Sequence, residues 1–299
     1  MATKRTPTKA APAAKPARTL TASAPKTAGA KPKAAAKPKP AAAPARAASA
    51  KRDAKGWTLE RTMKALEAAG TEQARKTYAR HGAEGPMFGV SFAALKELVK
   101  KIGVDHDLAV ELWGTGNHDA RILAAKIADP ARATPAQLDR WAKEMRVRSC
   151  GGYVAMLAAE GPHGISRAEA WLGSSDERLR CSGWTLAGHL ALVDETTPDR
   201  WFEPLLARIA KSIHEAPNDE RNVMNTAVIQ IGCRNGALRK AAAAAAKRIG
   251  KVDVDHGDTS CKTQDAADYL AKTWAHAQSK GFDSPAAQER ARKTMRTRC

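Results

Sequence analysis

The sequence predicts an all-α fold, and three observations carry that reading. From Trp57 onward apolar residues recur three and four positions apart almost without a break, the spacing of one buried helix face. Most of these stretches open on Ser, Thr, Asp or Asn and close at Gly or Pro, which satisfy or end helical hydrogen bonding. Nowhere do apolar and polar residues alternate over the length of a strand.

The elements follow in order. Thr58 caps a helix whose Leu59, Met63 and Leu66 share a face and which Gly70 stops; Thr71 opens the next, to Gly82. A Gly/Pro-broken loop covers 83–90. Ser91 then starts SFAALKELVKKIG, Asp105 starts DHDLAVELWGTG, and Asn117 starts NHDARILAAKIADP, stopped by Pro130. In the last of these His118 reads as a helix-start residue without chemistry. Thr134 followed by Pro135 is a cap with proline in the first turn. The pattern continues through RSCGGYVAMLAAEG, SRAEAWLGS, DERLRCSGWTLAGHLALVD, TPDRWFEPLLARIAKSIHEAP, NDERNVMNTAVIQIG, NGALRKAAAAAAKRIG and TQDAADYLAKTWAHAQSKG. Trp113, Trp141, Trp171 and Trp201 sit among apolar helical neighbours and are expected in the core. Helices of this size suit an α-solenoid of antiparallel pairs, about 40–47 residues each. A compact irregular helical domain fits the same spacing, and periodicity alone leaves both open.

Charge divides the chain. Of its 299 residues and net +19, residues 1–55 hold 14 Lys and Arg against the single acid Asp53, a net of +13. The same stretch has 21 Ala, 8 of the 16 Pro, and only Met1 and Leu20 as large apolar side chains. Such a segment cannot bury enough surface to offset its conformational entropy and is expected to be a disordered basic tail. It resembles the Lys/Ala/Pro-rich tails of linker histones and bacterial histone-like proteins. Chemically it is a polyanion ligand that gains affinity by releasing counterions; a solubilising linker is the alternative reading. The remaining chain divides into a helical domain over 56–282 and a basic C-terminal extension over 283–299.

No apolar run of about 18 residues is present, so no membrane contact is expected. The tail also lacks the apolar stretch of a secretory signal. Cys150, Cys181, Cys233, Cys261 and Cys299 are widely spaced and contain no CxxC pair, which suggests reduced thiols and neither zinc nor disulfides. No metal or other cofactor is expected. A cytoplasmic, nucleoid-associated monomer fits these features.

Residues 85–141 are the most distinctive. GPMFGVSFAALKELVKKIG and LAVELWGTGNHDARILAAKIADPARATPAQLDRWA contain a Gly-Val before a helix cap, LW before a Gly turn, a HEARLLA-like helix ending in Asp-Pro, and a T-P-x-Q-L-x-x-W helix. In this order the markers resemble the DNA alkylation repair (AlkD-like) glycosylase family. MNTAVIQIGCRNGALRKAAAAAAKRIGKVDVDHGDTSCKTQDAADYL resembles a subgroup with a similar I-G-K-V-x-V-D-x-G-x-T-x-C-K segment, so the likeness spans nearly the whole body but not the tail. It implies HEAT-like helix pairs gripping duplex DNA, alkylated, bent or branched, in a basic concave groove. The activity it implies is release of cationic N3- or N7-alkylated purines, with aromatic faces and a carboxylate stabilising an oxocarbenium-like sugar.

The likeness departs at the catalytic segment. Where the family reads roughly S-W-D-x-x-D, this chain has Val147, Arg148, Ser149, Cys150, Gly151 and Gly152. Arg148 stands at the Trp position and Gly152 at the carboxylate position, and no Asp or Glu lies between Glu144 and Glu160. Catalytic residues are therefore unassigned. Lys143, Arg146 and Arg148 are candidate DNA contacts. The resemblance places a basic residue at the start of the later ERLRCSGW helix, where Arg178, Arg180 and Trp184 are the candidates; Trp184 either stacks on DNA or, as a lone Trp on an apolar helix, lies in the core. Arg221, Arg234 and Arg239 fall at helix starts or turns, where backbone N–H groups also suit phosphates. A possible second site comprises His256, Asp258, Cys261 and Lys262; its plainer reading is a capped turn at Asp258 or Thr259 with Cys261 buried. The expected function is DNA binding within this family, with excision of alkylated purines as the implied activity. A non-catalytic DNA-shape binder and a protein scaffold are the alternatives.

Overall fold

The structure is a computed structural model that describes residues 56–145 and 152–292. The first 55 residues, including the tail expected to be disordered, lie outside them.

Fourteen helices occupy the described residues, with no strand beyond an isolated bridge between Gly70 and Val90. They are α1 (Leu59–Ala68), α2 (Glu72–Arg80), α3 (Phe92–Ile102), α4 (His106–Gly114), α5 (His118–Ile127), α6 (Pro135–Glu144) and α7 (Gly152–Ala159). The remainder are α8 (Gly164–Leu172), α9 (Glu177–Val193), α10 (Asp199–Ser212), α11 (Asn218–Gly232), α12 (Gly236–Ile249), α13 (Ala266–Ser279) and α14 (Pro285–Arg290). The expected caps form: side-chain oxygens of Thr58, Thr71, Ser91, Asp105, Asn117 and Thr134 each accept from a backbone N–H in the first turn.

From α3 to α13 the odd-numbered helices pack side by side in succession, while α4, α8 and α12 back onto α5, α9 and α11. This two-layer stacking selects the repeat architecture over an irregular domain. Trp141, Trp171 and Trp184 are completely or almost completely buried between the layers, and Trp113 stacks on Trp141 with ring centroids 4.2 Å apart. Trp201 is only half-buried and donates from Nε1 to Glu169.

Two of the sequence markers meet in space. The buried Asp119 carboxylate, from the HEARLLA-like helix, accepts from the backbone N–H groups of Phe88, Gly89 and Val90 at 2.7, 3.0 and 2.8 Å. Gly89 has φ +77°, and a Cβ there would come within 2.5 Å of Thr71 O. The Gly-Val pair and the acid thirty residues later are thus one structural unit.

The C-terminal boundary differs from expectation. Pro285–Arg290 form α14, capped by Ser284 and packed on α9 and α13, with Ala286 fully buried. The Ala286 N–H donates to Cys233 O, and Arg290 donates to Leu192 O. A six-residue helix with a single aliphatic face carries too little periodicity to stand out from a basic run.

Candidate nucleic-acid interface

The candidate interface draws on the first turns of α9 and α11 and on the start of α7, which lies beside the second half of α9. Arg180 in α9 reaches Glu220 in α11, and further along Gly188 lies against Gln230, so the two helices run parallel. Their starts therefore lie along one edge.

Gly152 begins α7. A Cβ there would sit 3.7 Å from Thr185 Cγ2 and 4.0 Å from His189 Nε2, both on α9. His189 is buried with its Nδ1 unpaired, and desolvation pushes its imidazole down to about 4. It is consequently neutral at pH 7. Upstream, the Glu144 carboxylate accepts from Trp113 Nε1 at 2.6 Å and pairs with Arg121 at 3.5 Å, which anchors the end of α6. The glycine that the resemblance sets at the carboxylate position thus has a threonine and a neutral imidazole as its nearest side chains.

The predicted contacts separate into two groups. Lys143 and Arg178 are exposed. Arg146 and Arg148 lie outside the described residues. The rest are engaged within the protein. Trp184 is fully buried and donates from Nε1 to Glu220 at 3.1 Å, which corrects the expectation that it stacks on DNA. Arg180 is 21% exposed, pairs with Glu220 at 2.8 Å and donates to the carbonyls of Ser174 and Ser175.

Arg234 is corrected in the same way. It is buried, pairs with Asp199, and donates to the carbonyls of Leu190, Ala191, Asp194 and Thr197, closing the end of α9. Arg221 donates to Asp253 O, His214 O and Ala216 O, and with Asn218 it ties the loop before α13 to the start of α11. Arg239 is half-buried, its guanidinium 4.6 Å over the Trp274 ring. Arg234 satisfies carbonyls left open at the end of α9, whereas Arg180 and Arg221 bind loop carbonyls. A cation at a helix boundary has the same sequence signature whether it faces a phosphate or a neighbouring carbonyl.

At the second site His256, Cys261 and Lys262 line one crevice of the loop over 250–265, whereas Asp258 is exposed and does not. His256 Nε2 lies 2.9 Å from Thr263 Oγ1. Cys261 is exposed rather than buried, and the following helix is capped by Asp265, not by Asp258 or Thr259. Among the described residues no group of three or more His, Cys, Asp or Glu side chains could hold a metal ion. No helix among them is long and apolar enough to cross a membrane.

Sequence reasoning missed Glu220, which looks like an ordinary first-turn acid in NDERN, and His189, which looks like one more residue of an apolar helix. Neither carries a local signal; both acquire their role from the neighbouring helix.

A two-layer array of short helices, with its distinctive residues along one edge, defines a helical-repeat protein. Residues 62–270 match the family model of the DNA alkylation repair enzymes, and the chain belongs to that family. It is 28% identical over 221 residues to the uncharacterized protein Lin0241 of Listeria innocua serovar 6a, covering 72% of this chain and 95% of that one. The uncharacterized protein Lmo0209 of Listeria monocytogenes serovar 1/2a is 28% identical over 222 residues, with the same coverage. A solved structure matches with TM-score 0.68 and 28% identity, over 77% of this chain and 98% of that one. It is described as a new family of proteins related to the HEAT-like repeat DNA glycosylases, with affinity for branched DNA structures. The fold is accordingly HEAT-like.

Proposed function

We propose that this protein binds DNA, duplex or branched, through charge and shape, and that it does not excise bases. The surroundings of Gly152 carry this reading. Excision of an alkylated purine builds positive charge on the sugar, which a positioned carboxylate stabilises. Here the position has no carboxyl group, and the neighbouring Thr185 and neutral His189 supply no negative charge. Binding does not depend on that group. A tail of net +13 attracts phosphates without reading sequence, and exposed Lys143 and Arg178 add cations beside the starts of α7 and α9. The affinity for branched DNA of the solved relative supports including branched substrates. The protein acts in this reading as a monomer associated with nucleoid DNA.

A duplex carrying 7-methylguanine, incubated with protein in excess, tests the reading under single-turnover conditions. The expected result is a bound duplex with no base release above the spontaneous rate. Release above that rate would make the protein a glycosylase with a substitute for the missing carboxylate.

A further inference from the structure

The row of helices from α7 to α13 that carries Gly152 and Arg178 also contains a cleft of about 390 Å³, within the range of about 300–1,000 Å³ typical of small-ligand sites. Met156, Leu192 and Ile229 give it apolar surface, and two of the chain's three tyrosines, Tyr153 and Tyr269, line it. Tyr269 retains 44% exposure although it borders this largely apolar cleft.

Its polar groups narrow the class of ligand. The Gln230 Oε1 is buried without a hydrogen-bond partner and wedged against α9, where a Cβ on Gly188 would come within 1.9 Å. The amide forms part of the cleft wall beside α9, and as a carboxamide it offers a ligand both a donor and an acceptor. No Lys or Arg lines the cleft, and its one carboxylate, Glu289, accepts from Arg292 at 3.1 Å. The adjoining cations are already engaged, Arg292 with Glu289 and Lys126 with the Tyr153 ring at 4.4 Å from its centroid, and an alkyl chain would leave the amide unmatched. A flat, neutral ring edged with hydrogen-bonding groups matches the exposed Tyr269 side chain, the apolar surface and the amide together.

We propose that this cleft receives an unstacked nucleobase of bound DNA, with Tyr269 as the stacking platform and the Gln230 amide as the hydrogen-bonding group at the base edge. The assignment rests on the DNA-binding reading above. An unpaired base at a branch has little stacking and pairing left to lose, so it enters at lower cost than a paired one. The cleft would thereby discriminate branched from continuous DNA, which the charge of a basic tail alone cannot do.

The test uses the full chain and a three-way junction with 2-aminopurine at an unpaired branch nucleotide, beside a continuous duplex with the same probe paired. Wild-type protein is expected to change probe fluorescence on the junction only and to prefer it over the duplex. Tyr269→Ala, checked for an unchanged melting temperature, is expected to lose the fluorescence change and weaken junction binding on the order of tenfold, with duplex binding unaltered. Tyr269→Phe is expected to retain both. Full preference and signal in Tyr269→Ala would overturn the proposal. Free 2-aminopurine riboside binding as tightly as the junction, with no preference between the DNAs, would assign the cleft to a free nucleobase and overturn it too. A wild-type chain that binds neither DNA would instead remove the reading on which the proposal rests.

Discussion

Arg180 Nε donates to Glu220 Oε2 at 2.8 Å across the first turns of α9 and α11, and the same carboxylate accepts from the Trp184 indole. One buried acid therefore fixes two residues that the sequence offers as DNA contacts. Removing Arg180 leaves Glu220 buried beside an indole with no countercharge. Arg180→Ala is expected to cost about 2–3 kcal/mol of stability, at the low end for a buried pair because the guanidinium is partly exposed. Urea unfolding measures this, and Arg180→Ala with Glu220→Gln should recover a large part of the loss. A single variant as stable as wild type, with DNA binding impaired, would return Arg180 to the interface.

The neutral state of His189 makes stability depend on pH. Its folded value of about 4 lies below the ordinary value of 6.5, so the unfolded chain binds the proton more readily. Stability is complete above about pH 6.5 and declines as pH falls toward 4, by roughly 3 kcal/mol in all from this group. His118 and His106 are shifted in the same direction, chiefly by burial. The diagnostic quantity is consequently the difference between wild type and His189→Gln, measured by denaturant unfolding from pH 7 to 4.5. His189→Gln should have the shallower decline; parallel curves would mean His189 titrates normally in the folded protein.

The tail carries thirteen of the nineteen net charges. A chain truncated to residues 56–299 should bind duplex DNA more weakly, with a log-affinity against log-salt slope smaller by several units, since each phosphate neutralised contributes about 0.9. Equal slopes for the two chains would show that the tail contacts no phosphate.

Gly152 and Arg234 illustrate how unequally the site could be read in advance. The glycine that the resemblance sets at the carboxylate position is visible as a missing residue type, because no Asp or Glu lies between Glu144 and Glu160. Arg234 is not readable in this way, since a helix-boundary cation faces solvent, phosphate or carbonyl according to what the next helix places beside it. Tyr269 and Gln230 belong to the same class, separated by nearly forty residues and joined only where α11 and α13 line one cleft.

The sequence by itself determined the helices, their caps, the Gly-Val and Asp119 markers of the family, and the separation of a basic tail from a nearly balanced body. Those features depend on neighbours within one or two turns, on composition, or on an ordered motif. Tertiary structure alone decided that Trp184, Arg180, Arg221 and Arg234 turn inward, that Pro285–Arg290 pack on α9 and α13 as a helix, and that His189 lies under Gly152. Each of those outcomes requires two helices distant in sequence to share a surface, and a local pattern holds no record of its partner.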